Sequence, residues 1–570
     1  MRRLFFSIAI SLYCTFVFAQ KKAHIVGTEV NPFSYAINKS KTYSNAAVAT
    51  AHPLASEIGV AIMKQGGNAF DAAIAVNFTL AVVYPAAGNI GGGGLMTARK
   101  KDGKLLTLDY REKAPAAASR NMYLDSAGNV VPDLSINGHL SCGVPGTVAG
   151  MFAIYKYAKL PMKVLIQPAI DLAQHGYVIT ASEANSLNHN KADFVKYNTQ
   201  PTAFVKEGDW KAGDTLVQPE LAQTLLRIRD EGANGFYAGK TADLIVEEMK
   251  RGKGLINYKD LKSYDAKLRT PMLFLYRGYQ VVGFPPPSSG GILLAQMLGM
   301  IEPFPIKKWG FESPQTTQVM IEAERRAYAD RAKYMGDPDF YNVPQKALIS
   351  KVYLAKRMKD FDTAHASKSE NIEAGLLYES KQTTHISIID KWGNMVAITT
   401  TLNNLYGSKT VVGGGGFFLN DEMDDFSAKP GVPNMYGAVG GEANAIAPGK
   451  RMLSSMTPTL VLKNNKPFVV VGTPGGTTIP TSVFQTIVDI VDFNMTAAGA
   501  VNAPKFHHQW LPDEVMVEPS FPSATQQILS AKGYHFIQEG AIGRTEVIKI
   551  TKKGVEAAAD IRGNDSADGF

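Results

Sequence analysis

Gln382-Thr383-Thr384-His385-Ile386-Ser387-Ile388-Ile389-Asp390 is the stretch on which the reading of this chain turns. Two threonines stand ahead of a short apolar run carried by Ile386, Ile388 and Ile389, which predicts a β-strand. The turn Asp390-Lys391-Trp392-Gly393-Asn394 follows, then a second strand pattern from Met395 to Asn403, so the pair is expected to form a hairpin. Taken alone, the threonines suit a strand by propensity. They also admit a chemical reading. A threonine hydroxyl is a poor nucleophile without an adjacent base, and a threonine at a chain's N-terminus carries one in its own α-amine. Thr383 qualifies only if the Gln382–Thr383 bond is cut.

The chain begins with Met1-Arg2-Arg3, an apolar run from Leu4 to Phe18, and Ala19. This is the pattern of a secretory signal peptide over residues 1–19, too short for a spanning helix. Export to the periplasm or the medium is expected, with no membrane attachment once the leader is gone. Loss of Arg2 and Arg3 lowers the formal net charge of +8 by two. No lysine or arginine run accompanies that charge, so a nucleic-acid partner is not indicated. Removal of Cys14 leaves Cys142 as the remaining cysteine, and the fold must stand without an internal disulfide. Cys142 reads as a small buried hydrophobe.

Two helices are predicted between Pro53 and Val83, broken at Gly66-Gly67-Asn68; the second, from Ala69, is apolar all round and therefore buried. Glycines 91–94 follow a helix and enter a strand pattern, the wrong order for a phosphate-cradling loop, and predict a tight backbone path instead. The strand pattern Leu105 to Glu112 brings Arg111 out at its end, where a planar guanidinium suits a carboxylate. Residues 285–291 are read as a buried turn and residues 322–334 as a charged helix with a solvated face. The segment before Gln382 turns polar, as a processing site requires. The acids Asp421, Glu422, Asp424 and Asp425 call for a nearby cation but lack the spacing of a calcium loop. Residues 430–441, around Tyr436, suit a mobile lid. Gly475 and Gly476 close a strand and can turn two amides onto one point. His507 and His508 are adjacent, cannot easily share one metal, and read as structural. No metal or other cofactor is indicated.

Together, Thr383-Thr384-His385, Thr401-Leu402-Asn403, Glu422-Met423-Asp424-Asp425, Leu453-Ser454-Ser455-Met456-Thr457-Pro458 and Thr473-Pro474-Gly475-Gly476 resemble the γ-glutamyltransferase family in order and spacing. Gly66 to Ala73, the 91–94 glycines, Asp109-Tyr110-Arg111-Glu112, residues 285–291 and Phe506 to Trp510 match as well. The resemblance implies an α+β, four-layer αββα sandwich, the N-terminal nucleophile hydrolase fold, formed jointly by two pieces of one precursor. These are a large subunit, residues 20–382, and a small one, residues 383–570, with Gln382 and Thr383 flanking the cut. It implies Thr383 as nucleophile, Thr401 as its hydrogen-bond partner, and Gly475 and Gly476 as the oxyanion donors. It places a substrate α-carboxylate on Arg111, Ser454 and Ser455, its α-ammonium on Asn403, Glu422 and Asp425, and Tyr436 on the lid. The implied partners are glutathione and other γ-glutamyl compounds as donors, with water, amino acids or dipeptides as acceptors. Glu422 stands where some members carry Gln, and residues 413–416 are unusually rich in glycine, which is expected to loosen the approach to the site. The rivals are a cephalosporin acylase-like enzyme on the same fold and an inactive γ-glutamyl-binding protein.

Overall fold

The computed structural model describes residues 25–372, 383–429 and 441–570. The leader, Gln382 and Tyr436 with residues 430–440 lie outside the described residues. Two seven-stranded antiparallel sheets form the centre. One runs Ser566–Gly569, Ala47–Thr50, Thr384–Ile389, Met395–Thr401, Gly93–Arg99, Leu105–Tyr110, Lys267–Arg269. The other runs Ser40–Tyr43, Gly554–Ala558, Glu546–Thr551, Lys466–Gly472, Thr459–Lys463, Tyr279–Gly283, Met272–Tyr276.

Strand alternation builds the layers. Ile386, Ile388, Val396 and Ile398 point from the first sheet into a core shared with the helices Pro53–Lys64 and Ala69–Val83. Their neighbours Ile389, Met395 and Ala397 point the other way and meet Leu460, Leu462, Val470 and Ile548 of the second sheet. The far face of that sheet, with Val461, Val469, Val471 and Val547, lies under the helices Gly290–Ile301 and Thr478–Val491. Each large aliphatic so buried contributes about 1.5–3 kcal/mol. The result is helix, sheet, sheet, helix, as expected. Both sheets interleave strands from either side of residue 382.

The first helix starts at Pro53, with the His52 side chain accepting from Leu54 N at 3.2 Å. The second has a full capping box: Asn68 Oδ1 accepts from Phe70 N (2.7 Å), and Asp71 Oδ2 accepts from Asn68 N (2.8 Å). Every residue of that helix is buried.

Two expectations fail. The helix Pro314–Tyr334 does not carry a solvated face over 322–334, because Glu322, Glu324, Arg325, Arg326, Asp330 and Arg331 are all buried. Glu322 is paired with Arg326, and Asp330 bonds Gln296 Nε2 at 2.7 Å and Tyr353 Oη at 2.8 Å. Pairing within the fold lets charges occupy a place that composition assigns to water. Residues 413–416 are not loose either. Gly413 N donates to Glu248 Oε2 (3.1 Å), and a Cβ at Gly416 would overlap the Leu221 backbone.

Candidate active site

Sheet register assembles the site. Thr384 lies opposite Thr400, so Thr383 and Thr401 form the next pair outward. Thr401 lies opposite Gly93 on its other side. Gly94 lies opposite Tyr110, which sets Arg111 across from Gly93. Thr383, Thr401, Gly93 and Arg111 thus stand in a row across four adjacent strands, each step about 4.8 Å. His385 Nδ1 bonds Thr399 Oγ1 at 2.9 Å. Thr383 and Thr401 are two residues along from these on the same strands and share their face of the pleat. Both are buried. Thr401 Oγ1 accepts from Asn403 N at 2.7 Å, and Asn403, at φ +78°, donates its side-chain amide to Asp421 O at 3.0 Å.

The glycines 91–94 let the chain through this crowd. A Cβ at Gly92 would strike Thr401 O, and one at Gly93 would strike Glu112. Asn89 pins the crossing: its Nδ2 donates to Thr401 O (2.8 Å), and its Oδ1 accepts from Gly92 N (3.0 Å).

The second sheet supplies the turn at residues 473–477. His385 packs on Gly472 so closely that no side chain fits there. That contact brings the Thr383 end of one sheet beside the Gly475 end of the other. Burial pushes the His385 imidazole down to about 3, so it is neutral and structural. Gly475 (φ +136°) and Gly476 (φ +58°) hold backbone conformations that favour glycine, and their carbonyls accept from Thr478 N and Ile479 N at 3.1 Å each. They lie at the start of the helix Thr478–Val491, where amide N–H groups have no partner within the helix.

Arg111 is buried and ion-paired to both Glu422 and Asp425, with Glu112 Oε2 at 3.6 Å. Its Nε and Nη2 reach the carbonyls of Met452 (3.4 Å) and Leu453 (3.2 Å), the two residues before Ser454-Ser455. Burial raises Glu422 and Glu112 well above the usual carboxylate range, while Arg111 pulls both back. The other two acids of the cluster are used elsewhere. Asp421, pushed up to about 7 by burial, accepts from Asn404 N (2.9 Å); Asp424 accepts from Ser135 Oγ (2.5 Å). Ser454 and Ser455 are buried, and Ser454 O receives Ser289 N at 2.7 Å from the buried 285–291 turn. Leu95, Phe284, Met456 and Ile479 form an apolar plug tying these segments together.

The structure therefore brings Thr383, Thr401, Asn403, Arg111, Glu422, Asp425, Ser454, Ser455, Gly475 and Gly476 to one end of the sandwich. Sequence reasoning missed Asn89, an ordinary loop asparagine in sequence. It also missed Tyr328 and Arg331, hidden in a charged helix. Cys142 is buried, its thiol pushed up to about 12. His507 Nδ1 bonds Thr481 Oγ1 at 2.9 Å, and His508 Nε2 lies 3.3 Å from Asp513. Among the described residues no cluster of three or more His, Cys, Asp or Glu is arranged to hold a metal.

An αββα sandwich with a buried threonine just ahead of an inner strand, and a glycine turn on the opposite sheet at the same end, has the form of the N-terminal nucleophile hydrolase class. The family profile described as Gamma-glutamyltranspeptidase matches residues 55–570. The glutathione hydrolase proenzyme of Escherichia coli is 47% identical over 524 residues, covering 91% of this chain and 90% of that protein. The cephalosporin acylase structure from Bacillus halodurans superposes with a TM-score of 0.83 at 27% identity, covering 95% of this chain and 98% of that one. The Helicobacter pylori gamma-glutamyltranspeptidase structure gives 0.57 at 45% identity, over 60% of this chain and 97% of that one. The chain belongs to the γ-glutamyltranspeptidase family.

Proposed function

We propose that the protein is a self-cleaving γ-glutamyltransferase and glutathione hydrolase. The observation that carries this is the Thr383–Thr401–Gly93–Arg111 row with Glu422 and Asp425 on the arginine. It sets a nucleophile at one end and a paired guanidinium and carboxylates at the other, the complement of an α-amino acid head group. In maturation the Thr383 hydroxyl adds to the Gln382 carbonyl, and the amide becomes an ester. Water then hydrolyses the ester and leaves Thr383 with a free amine. In turnover Thr383 Oγ attacks the γ-glutamyl carbonyl while the α-amine takes its proton. Thr401 orients the hydroxyl. The Gly475 and Gly476 amides hold the oxyanion; losing one such donor typically costs about two to three powers of ten in rate. The leaving amine departs protonated, and water or an acceptor amino acid or dipeptide takes the γ-glutamyl group. Arg111, Ser454 and Ser455 bind the α-carboxylate, and Asn403, Glu422 and Asp425 the α-ammonium. The leader pattern at residues 1–19 supports export.

Release of p-nitroaniline from γ-glutamyl-p-nitroanilide, compared with glutaryl-p-nitroanilide, tests the reading. The glutaryl compound lacks only the α-amine and would bring the acids no ammonium to offset the carboxylate it adds. We expect at least about a hundredfold preference in kcat/KM for the γ-glutamyl compound. Equal rates or a glutaryl preference would favour the acylase instead.

A further inference from the structure

The helix Pro314–Tyr334 presents Glu324, Tyr328 and Arg331 at i, i+4 and i+7, one buried polar stripe. Glu324 accepts from Gln485 Nε2 at 3.0 Å and from His508 N at 2.9 Å. Tyr328 donates to the carbonyl of Thr477, in the turn that holds Gly475 and Gly476. Arg331 donates through Nη2 to Ser455 Oγ (2.9 Å) and through Nε to Ser289 Oγ (2.8 Å). Ser289 Oγ in turn donates to Ser454 O at 3.0 Å. One helix therefore braces both the oxyanion turn and the serine pair.

The polarity of these bonds matters more than their number. A guanidinium only donates, and a serine hydroxyl has one hydrogen. Since Ser455 Oγ accepts from Arg331, its hydrogen is turned away from the guanidinium. Ser454 Oγ likewise accepts from Met456 N at 3.1 Å. Each of these bonds uses a lone pair and leaves the hydroxyl hydrogen for donation, which a carboxylate requires. We propose that Arg331 is a positioning residue for the donor substrate: it orients the Ser455 hydroxyl to donate to the substrate's α-carboxylate and, through Ser289, clamps the 454–455 backbone. This rests on the assignment of Ser455 to the α-carboxylate made above.

The test uses the processed enzyme with Arg331→Met, Arg331→Lys, Ser455→Ala and the Met/Ala double variant. Each is assayed on γ-glutamyl-p-nitroanilide and on 4-aminobutanoyl-p-nitroanilide, which lacks only the α-carboxylate. Variants are checked for two-fragment processing and thermal unfolding. We expect Arg331→Met to raise KM for the γ-glutamyl compound about tenfold with a smaller change in kcat, in line with loss of a charged hydrogen bond. Its kcat/KM on the 4-aminobutanoyl compound should stay within about twofold of the parent's. Arg331→Lys should recover part of the loss, and the double variant should lose clearly less than the sum of the two single losses, exceeding Ser455→Ala only by what the Ser289 clamp contributes. Equal losses on both substrates would mean a general structural role and overturn the proposal, as would additive effects in the double variant. Should Arg331→Met not process, Arg331→Lys carries the same two-substrate comparison. Ser455→Ala with unchanged KM would remove the carboxylate assignment itself, a failure distinct from that of Arg331.

Discussion

Thr383 is chosen over Thr384 by geometry as well as by the amine it would carry. Thr384 lies on the opposite face of the pleat from His385 and the second sheet, whereas Thr383 shares the face toward the Gly475 turn. If its α-amine is the base, kcat/KM on γ-glutamyl-p-nitroanilide should fall about tenfold per pH unit below an apparent pKa near 8, because the protonated amine cannot accept the hydroxyl proton. A flat profile between pH 5 and 8 would rule that base out. Gly475 tolerates no side chain: a Cβ would overlap Thr478 Oγ1, at a φ that L residues rarely adopt. Gly475→Ala should lower kcat by two or more powers of ten. Arg111→Lys should raise KM for the donor tenfold or more, since an ammonium cannot replace a fork shared by two carboxylates and two carbonyls; an unchanged KM would take Arg111 out of the site.

Individual elements were legible in the sequence where a local pattern governed them. The helix pair before the 91–94 glycines, the 384–401 hairpin and the strand closed by the Gly475-Gly476 turn all follow from periodicity and turn residues. Legibility ended where partners are distant. The row linking Thr383 to Arg111 depends on strand pairings across hundreds of residues, and no local pattern encodes that register. The resemblance supplied it as motifs, and the sheets give its cause. The charged helix is buried because its charges are paired both within the helix, as Glu322 is with Arg326, and by distant segments that no local pattern reveals, Arg357 for Asp330 and Asp360 for Arg326.

The buried His385 makes the hairpin's stability depend on pH. Its folded value near 3 lies below the unfolded 6.5. Between those values the unfolded chain binds a proton that the folded one refuses. Stability is therefore whole above about pH 6.5 and falls as pH drops toward 3, by at most about 1.4 kcal/mol per unit. The thermal midpoint should fall between pH 7 and 4.5, and less steeply in His385→Gln. Parallel slopes in the two proteins would show that His385 does not titrate in this way.

At the scale of the molecule, both sheets draw strands from each side of residue 382. Four of the seven strands in the first sheet and three in the second precede it. A cut there leaves two chains that share both sheets, the core between them and the helix layer over the second sheet. The fragments should co-elute as one species in native gel filtration and separate only in denaturant. Among the described residues no helix is long and apolar enough to cross a membrane. If Thr383 becomes a chain terminus through its own hydroxyl, removing that hydroxyl leaves the chain whole. A denaturing gel of the purified protein beside Thr383→Ala, with N-terminal sequencing of the smaller band, tests it most directly. Two bands are expected for the parent, of about two-thirds and one-third of the mass, the smaller beginning Thr383-Thr384-His385, and one uncut band for the variant. A parent that stays whole, or a variant that cuts as readily, would contradict it.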